Sequence, residues 1–143
     1  LSNFSRDMFY GNSFVVMSSL LIGLLKGCSF NVSKSSGNLS SPNYPGQYKR
    51  NMDCVYVITS PTKQPITLVF EDFQVEYDTD CKDDYVSVKD GVNTSLGIFC
   101  GYNNPPPLLA LSGVFIIKFH SDRYVNYKGF LAVFNDSQGN IFL

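Results

Sequence analysis

Residues 68–88 read LVFEDFQVEYDTDCKDDYVSV. Upstream of the centre, Ile66, Leu68 and Phe70 alternate with Thr67, Val69 and Glu71, the period of two expected of a half-buried strand. Downstream, residues 85–89 give a second strand, which Asp90-Gly91 turns. Between the two lies a short acidic turn with Glu76, Asp78, Asp80, Asp83 and Asp84. So many carboxylates in one turn repel one another unless positive charge sits among them. Water and mobile counterions supply it at an ordinary surface. A bound cation can supply it too, and Ca²⁺ prefers this set of hard oxygen ligands. Cys81, in the middle of the turn, is placed to fix its shape through a disulfide.

The same texture extends outward. Cys54-Val-Tyr-Val-Ile58 reads as a strand ended by Ser60-Pro61, and residues 96–99 lead into Cys100-Gly101. Residues 103–107, NNPPP, form a rigid loop that cannot join a sheet interior. Two further strands are expected over residues 115–119 and 130–134, FIIKF and FLAVF. Residues 29–43 are rich in Ser, Asn and Gly, and Ser41-Pro-Asn-Tyr-Pro-Gly46 is turn chemistry throughout. No stretch has the length and period of a helix. The expectation is an all-β protein, an antiparallel β-sandwich, in a chain of 143 residues with room for one cored domain.

Cys28, Cys54, Cys81 and Cys100 are widely spaced with no CxxC pair, so zinc and thioredoxin-like readings are weak. Four cysteines permit three pairings, and the sequential one would close two loops worth roughly 3 kcal/mol each. Four Asn-x-Ser sequons begin at Asn31, Asn38, Asn93 and Asn135, with another at Asn3. In Ser- and Gly-rich surroundings they fit surface loops of a secreted glycoprotein, and cysteines and sequons together point outside the cell. Residues 1–27 hold the apolar run FVVMSSLLIGLL over 14–25, of signal-peptide length and short for a bilayer span. A membrane association is expected only if that run stays uncleaved as an anchor. A net charge of −1 without any Lys/Arg run argues against nucleic acid as a partner.

Catalysis leaves no mark on the sequence. Neither G-x-S-x-G nor H-E-x-x-H occurs, and the single histidine, His120, ends an alternating apolar segment as a structural side chain would. The expectation is a binding module, not an enzyme.

The ordered motifs Cys28, Gly37-x-Leu39-x-Ser41-Pro-Asn-Tyr-Pro45-x-x-Tyr48, Asn51 and Cys54-x-Tyr-x-Ile58 resemble the front half of a CUB domain. Phe73-x-x-Glu76, Cys81-x-x-Asp84-Tyr85, Asp90-Gly91, Cys100-Gly101, Phe119-x-Ser121-Asp122 and Gly129-Phe130 are similar to its back half. The resemblance covers about residues 28–136, leaving 137–143 as a short tail. It implies a jelly-roll-like sandwich stapled by Cys28–Cys54 and Cys81–Cys100. It also implies a Ca²⁺ site with Glu76, Asp84 and Asp122 as ligands, completed by backbone carbonyls near Tyr124 or Val125 and by water. Tyr48, Glu76 and Asp84 are the implied contacts for an extracellular protein partner, which presents an exposed Lys or Arg to the ordered carboxylates. Asp78, Asp80 and Asp83 are expected to stay solvated, and Arg123 would compete with the cation if it folded inward. Tyr56 stands where many members carry Trp, and its buried hydroxyl would need a partner. The alternatives are a calcium-independent glycan- or lipid-binding module, or a spacer or dimerisation domain of a larger protease-associated chain.

Overall fold

The structure, a computed structural model, describes residues 27–136. The apolar run over 14–25 and the tail 137–143 lie outside the described residues. Among the described residues, nine strands make two sheets. They are β1 (Gly27–Ser33), β2 (Ser36–Ser40), β3 (Met52–Thr59), β4 (Ile66–Gln74), β5 (Tyr85–Asp90), β6 (Ser95–Phe99), β7 (Leu108–Ala110), β8 (Val114–Ser121) and β9 (Gly129–Asp136). One sheet has the order β1-β3-β8-β5-β6 and the other β2-β9-β4-β7.

Alternation dictates which faces meet. In β3 and β8 every second residue is buried, so Cys54, Tyr56 and Ile58 lie beside Phe115, Ile117 and Phe119 on one inner face. Ile66, Leu68, Phe70, Ala132 and Phe134 oppose them from the second sheet. Each fully buried Phe or Leu contributes roughly 1.5–3 kcal/mol of transfer free energy. A bulge between Phe70 and Asp72 re-phases β4, so that Phe70 and then Phe73 and Val75 face inward. Tyr56 finds the partner it needs in the Ser40 carbonyl, to which its hydroxyl donates at 2.9 Å.

Two features differ from the sequence expectation. The polar run that starts at Cys28 contains two edge strands, β1 and β2, and β1 takes in Gly27 opposite Asp53. Edge strands need little apolar alternation, because one edge and much of their surface face solvent. The pairing of β1 with β3 is parallel, whereas every other strand pair among the described residues is antiparallel. That parallel register sets Cys28 directly opposite Cys54, and they are joined. Cys81 and Cys100 form the second disulfide, tying the acidic turn to the end of β6.

Candidate metal centre at one end of the sandwich

β5 and β8 run antiparallel with Tyr85 opposite His120. A residue just before β5 and one just after β8 therefore share one end of the sandwich, and these are Asp84 and Asp122. The Asp122 N–H donates to Asp84 Oδ1 at 2.7 Å. Beyond β4 the chain is held by a Val75–Gly101 bridge, which delivers Glu76 to the same end. Glu76, Asp84 and Asp122 each bring a carboxylate oxygen within 4.8 Å of the others.

Asp84 is fully buried, in phase with Val86 and Val88 on the inner face of β5. Its Oδ2 accepts the Tyr48 hydroxyl proton at 2.5 Å, and the same hydroxyl oxygen accepts the Glu76 N–H at 3.2 Å. One phenol thus connects two of the acids. Tyr48 is held from its own backbone, with its N–H on the Tyr127 carbonyl at 3.0 Å, and its ring packs edge-on against Phe119. It is only 1% exposed, so its hydroxyl acts from within the core, where it positions Asp84. The ring fills the core beneath the carboxylates.

The electrostatics follow from this geometry. Burial pushes the Asp84 carboxyl above the usual range, against the opposing pull of its hydrogen bonds from Tyr48 and Asp122. Burial also raises Glu76, followed by repulsion from Asp84, Asp122, Asp83 and Asp78. The Tyr48 phenol is raised by burial and by donating to Asp84. Among the described residues, the salt bridges formed leave all three acids of the cluster unpaired with any Lys, Arg or His. Arg123 does not fold inward. Its guanidinium lies 4.7 Å over the Tyr124 ring and donates to the Tyr124 hydroxyl.

The donor set fits a hard cation. Glu76 Oε2 is buried without a hydrogen-bond donor, and so is Asn126 Oδ1, four residues after Asp122 in the same loop. Buried oxygens of this kind need a partner, and a cation is one that can satisfy several at once. Asn126 escaped the sequence reading, because a lone loop asparagine carries no pattern; only the hardness of its amide oxygen and its closeness to Asp122 could have marked it. The remaining acids of the turn stand apart. Asp78 accepts the Lys82 N–H at 2.8 Å, Asp80 pairs with Lys82 Nζ at 2.7 Å, and Asp83 is exposed. His120 packs on Tyr85 with Nδ1 2.8 Å from Asp53 Oδ1. Asn31, Asn38, Asn93 and Asn135 are all exposed.

Sandwich, disulfides and acidic end together define a family, and comparison with known proteins agrees. The CUB domain family model matches residues 28–134, and the chain belongs to that family. Neuropilin-1 of Xenopus laevis is 34% identical over 122 residues, covering 79% of this chain. Human tolloid-like protein 1 is 36% identical over 110 residues, covering 75%, and Sus scrofa cubilin 37% over 108 residues, covering 73%. The chain spans only 13%, 11% and 3% of those three relatives' lengths. Among solved structures, the MASP-1 CUB2 domain bound to Ca²⁺ superposes with a TM-score of 0.69 at 32% identity, covering 76% of this chain and 99% of that one. The CUB1-EGF-CUB2 region of human MASP-1/3 gives a TM-score of 0.70 at 32% identity, over 76% of this chain and 42% of that one. CUB domains are generally non-catalytic protein-binding modules, and CUB relatives are extracellular or secreted proteins.

Proposed function

We propose that this chain is an extracellular, calcium-dependent protein-binding module whose partner presents a Lys or Arg side chain to the Glu76, Asp84 and Asp122 end. The observation that carries the reading is the mutually repelling trio itself, with Asp84 buried at its centre and Glu76 Oε2 and Asn126 Oδ1 left without donors. When bound, calcium would neutralise the trio and hold its oxygens in one arrangement. Glu76, Asp84 and Asp122 are the proposed ligands, joined by Asn126 Oδ1, nearby carbonyls and water. Tyr48 orients Asp84, and the Asp122 N–H fixes its other oxygen. Glu76 and Asp122 are partly exposed and so remain open to a basic side chain arriving from solvent. Tyr77 and Tyr124, close in the chain to Glu76 and Asp122, stand 65% and 57% exposed, enough to cover the aliphatic stem of that side chain. A preordered acceptor spares the partner the cost of organising it.

The test is thermal unfolding of the chain, disulfides intact, in 10 mM Ca²⁺ and in EDTA. With a Kd of roughly 10⁻⁴ to 10⁻³ M, calcium adds about 1.4–2.7 kcal/mol. That corresponds to a Tm rise of about 5–10 °C for a domain of this size. The rise should vanish in Asp122→Ala. Equal melting in calcium and EDTA would sink the calcium reading. A calcium-dependent Tm with no calcium-dependent capture of Lys- or Arg-bearing peptides would sink the basic-partner reading alone.

A further inference from the structure

At the open side of the sandwich, the edge strands β1 and β2 flank a groove of about 360 Å³. Phe30, Val32, Leu39, Tyr44 and Tyr56 supply its apolar wall, and Asn38 stands on its lip. Phe30 stacks on Tyr56 with ring centroids 4.9 Å apart and an interplanar angle of 13°, yet it remains 44% exposed. Its outer face therefore looks into solvent over the groove. Asn38 is exposed, lies on β2 opposite Val133, and opens the sequon Asn38-Leu39-Ser40.

We propose that the groove is the seat of the first sugar attached to Asn38. The inference rests on the extracellular reading, since only a chain that enters the secretory pathway receives the modification. An N-acetylglucosamine linked to Asn38 Nδ2 is tethered at the lip and cannot diffuse away, so its local concentration at the wall is high. A pyranose has one face of C–H bonds, which makes dispersion contacts with an aromatic ring, and a rim of hydroxyls. The wall offers the matching pair of surfaces: the outer face of Phe30, and polar groups from Ser40 and Asn43 around the same groove. The volume lies at the small end of ligand pockets, roughly 300–1,000 Å³, and suits one ring better than a branched glycan. The placement has a second consequence. β1 and β2 are both sheet edges, with a row of unpaired backbone groups that invites pairing with another chain. A sugar seated between them, with the rest of the glycan projecting outward, shields both edges from that fate.

The experiment uses the chain secreted from a eukaryotic host and trimmed enzymatically to a single N-acetylglucosamine per site. Intact mass and peptide mapping locate the sugars. In a chain carrying Asn3→Gln, Asn31→Gln, Asn93→Gln and Asn135→Gln, the remaining sugar on Asn38 should show nuclear Overhauser contacts with the Phe30 ring protons. Further replacement by Asn38→Gln should lower the Tm by about 3 °C. The same replacement should cost nothing in a Phe30→Ser background, which separates sugar packing from any loss due to Phe30 itself. Failure of the unsubstituted chain to take a sugar at any sequon overturns the extracellular reading and this inference with it. Sugars at other asparagines but not at Asn38, or a sugar on Asn38 without Phe30 contacts and with an equal Tm loss in both backgrounds, overturn this inference alone.

Discussion

Tyr48→Phe removes one oxygen and nothing else. The ring keeps its place in the core, 1% exposed and edge-on to Phe119, so no cavity larger than a hydroxyl is created. The oxygen, however, serves two partners: it donates to Asp84 Oδ2 at 2.5 Å and accepts from the Glu76 N–H at 3.2 Å. A hydrogen bond to a charged group contributes roughly 1.5–3 kcal/mol and a neutral one about 1 kcal/mol. Both partners stay behind in the variant, so the loss should come to about 3 kcal/mol. In urea, with a slope of about 1.5 kcal/mol/M, the unfolding midpoint should fall by about 2 M in EDTA, with the slope unchanged. Calcium affinity, read by isothermal titration, should fall roughly 10- to 100-fold, the usual consequence of removing a group that orients a ligand. A midpoint drop below about 0.5 M together with unchanged calcium affinity would refute the positioning role assigned to Tyr48.

Three further outcomes follow from other parts of the sandwich. The Asp90 carboxyl is held below the usual range, first by its hydrogen bond with Ser112 and with help from the Val92 N–H. A depressed carboxyl stabilises the fold above its unfolded value, near 3.9, and that stability is lost as pH falls through its folded value. Asp90→Asn should therefore melt lower than the parent at pH 7, with the gap closing as melts are repeated below about pH 4. Gly129 has φ +88°, and a Cβ there would meet Ser41 Oγ at 1.8 Å. Since that oxygen accepts the Phe130 N–H and cannot withdraw, Gly129→Ala should cost about 3 kcal/mol or more, seen as a Tm drop of at least about 10 °C. Replacing Cys81 and Cys100 together by Ser opens a span of 19 residues and should cost roughly 3 kcal/mol in denaturant unfolding.

How far these features were legible in the sequence depended on whether packing left a periodic trace. β3, β4, β5, β8 and β9 bury alternate side chains over most of their length, so β4 was named in advance by period two and the others by apolar runs between turn residues. β1 and β2, written GCSFNVS and SGNLS, sit at sheet edges where solvent takes the place of apolar partners, and no alternation remained to be read. The parallel β1–β3 pairing is a fact of topology that local sequence does not encode. The acidic site divides along the same line. Composition put five carboxylates in one turn without ranking them, and the trio came from the family resemblance. Strand parity alone would have singled out Asp84: carried backward from Val86 and Val88, it turns that aspartate toward the core, where an ionised carboxylate must be answered by a donor or a cation. Tyr48 answers one oxygen and the Asp122 N–H the other, so Asp84 is the acid the fold itself orders, whereas Glu76 Oε2 is left unanswered. On the proposed calcium reading, Asp84 is the ligand built by folding and Glu76 the one set by the ion. Asp84 should hold its place in EDTA, and Glu76 should be the side chain whose order changes most when calcium is added.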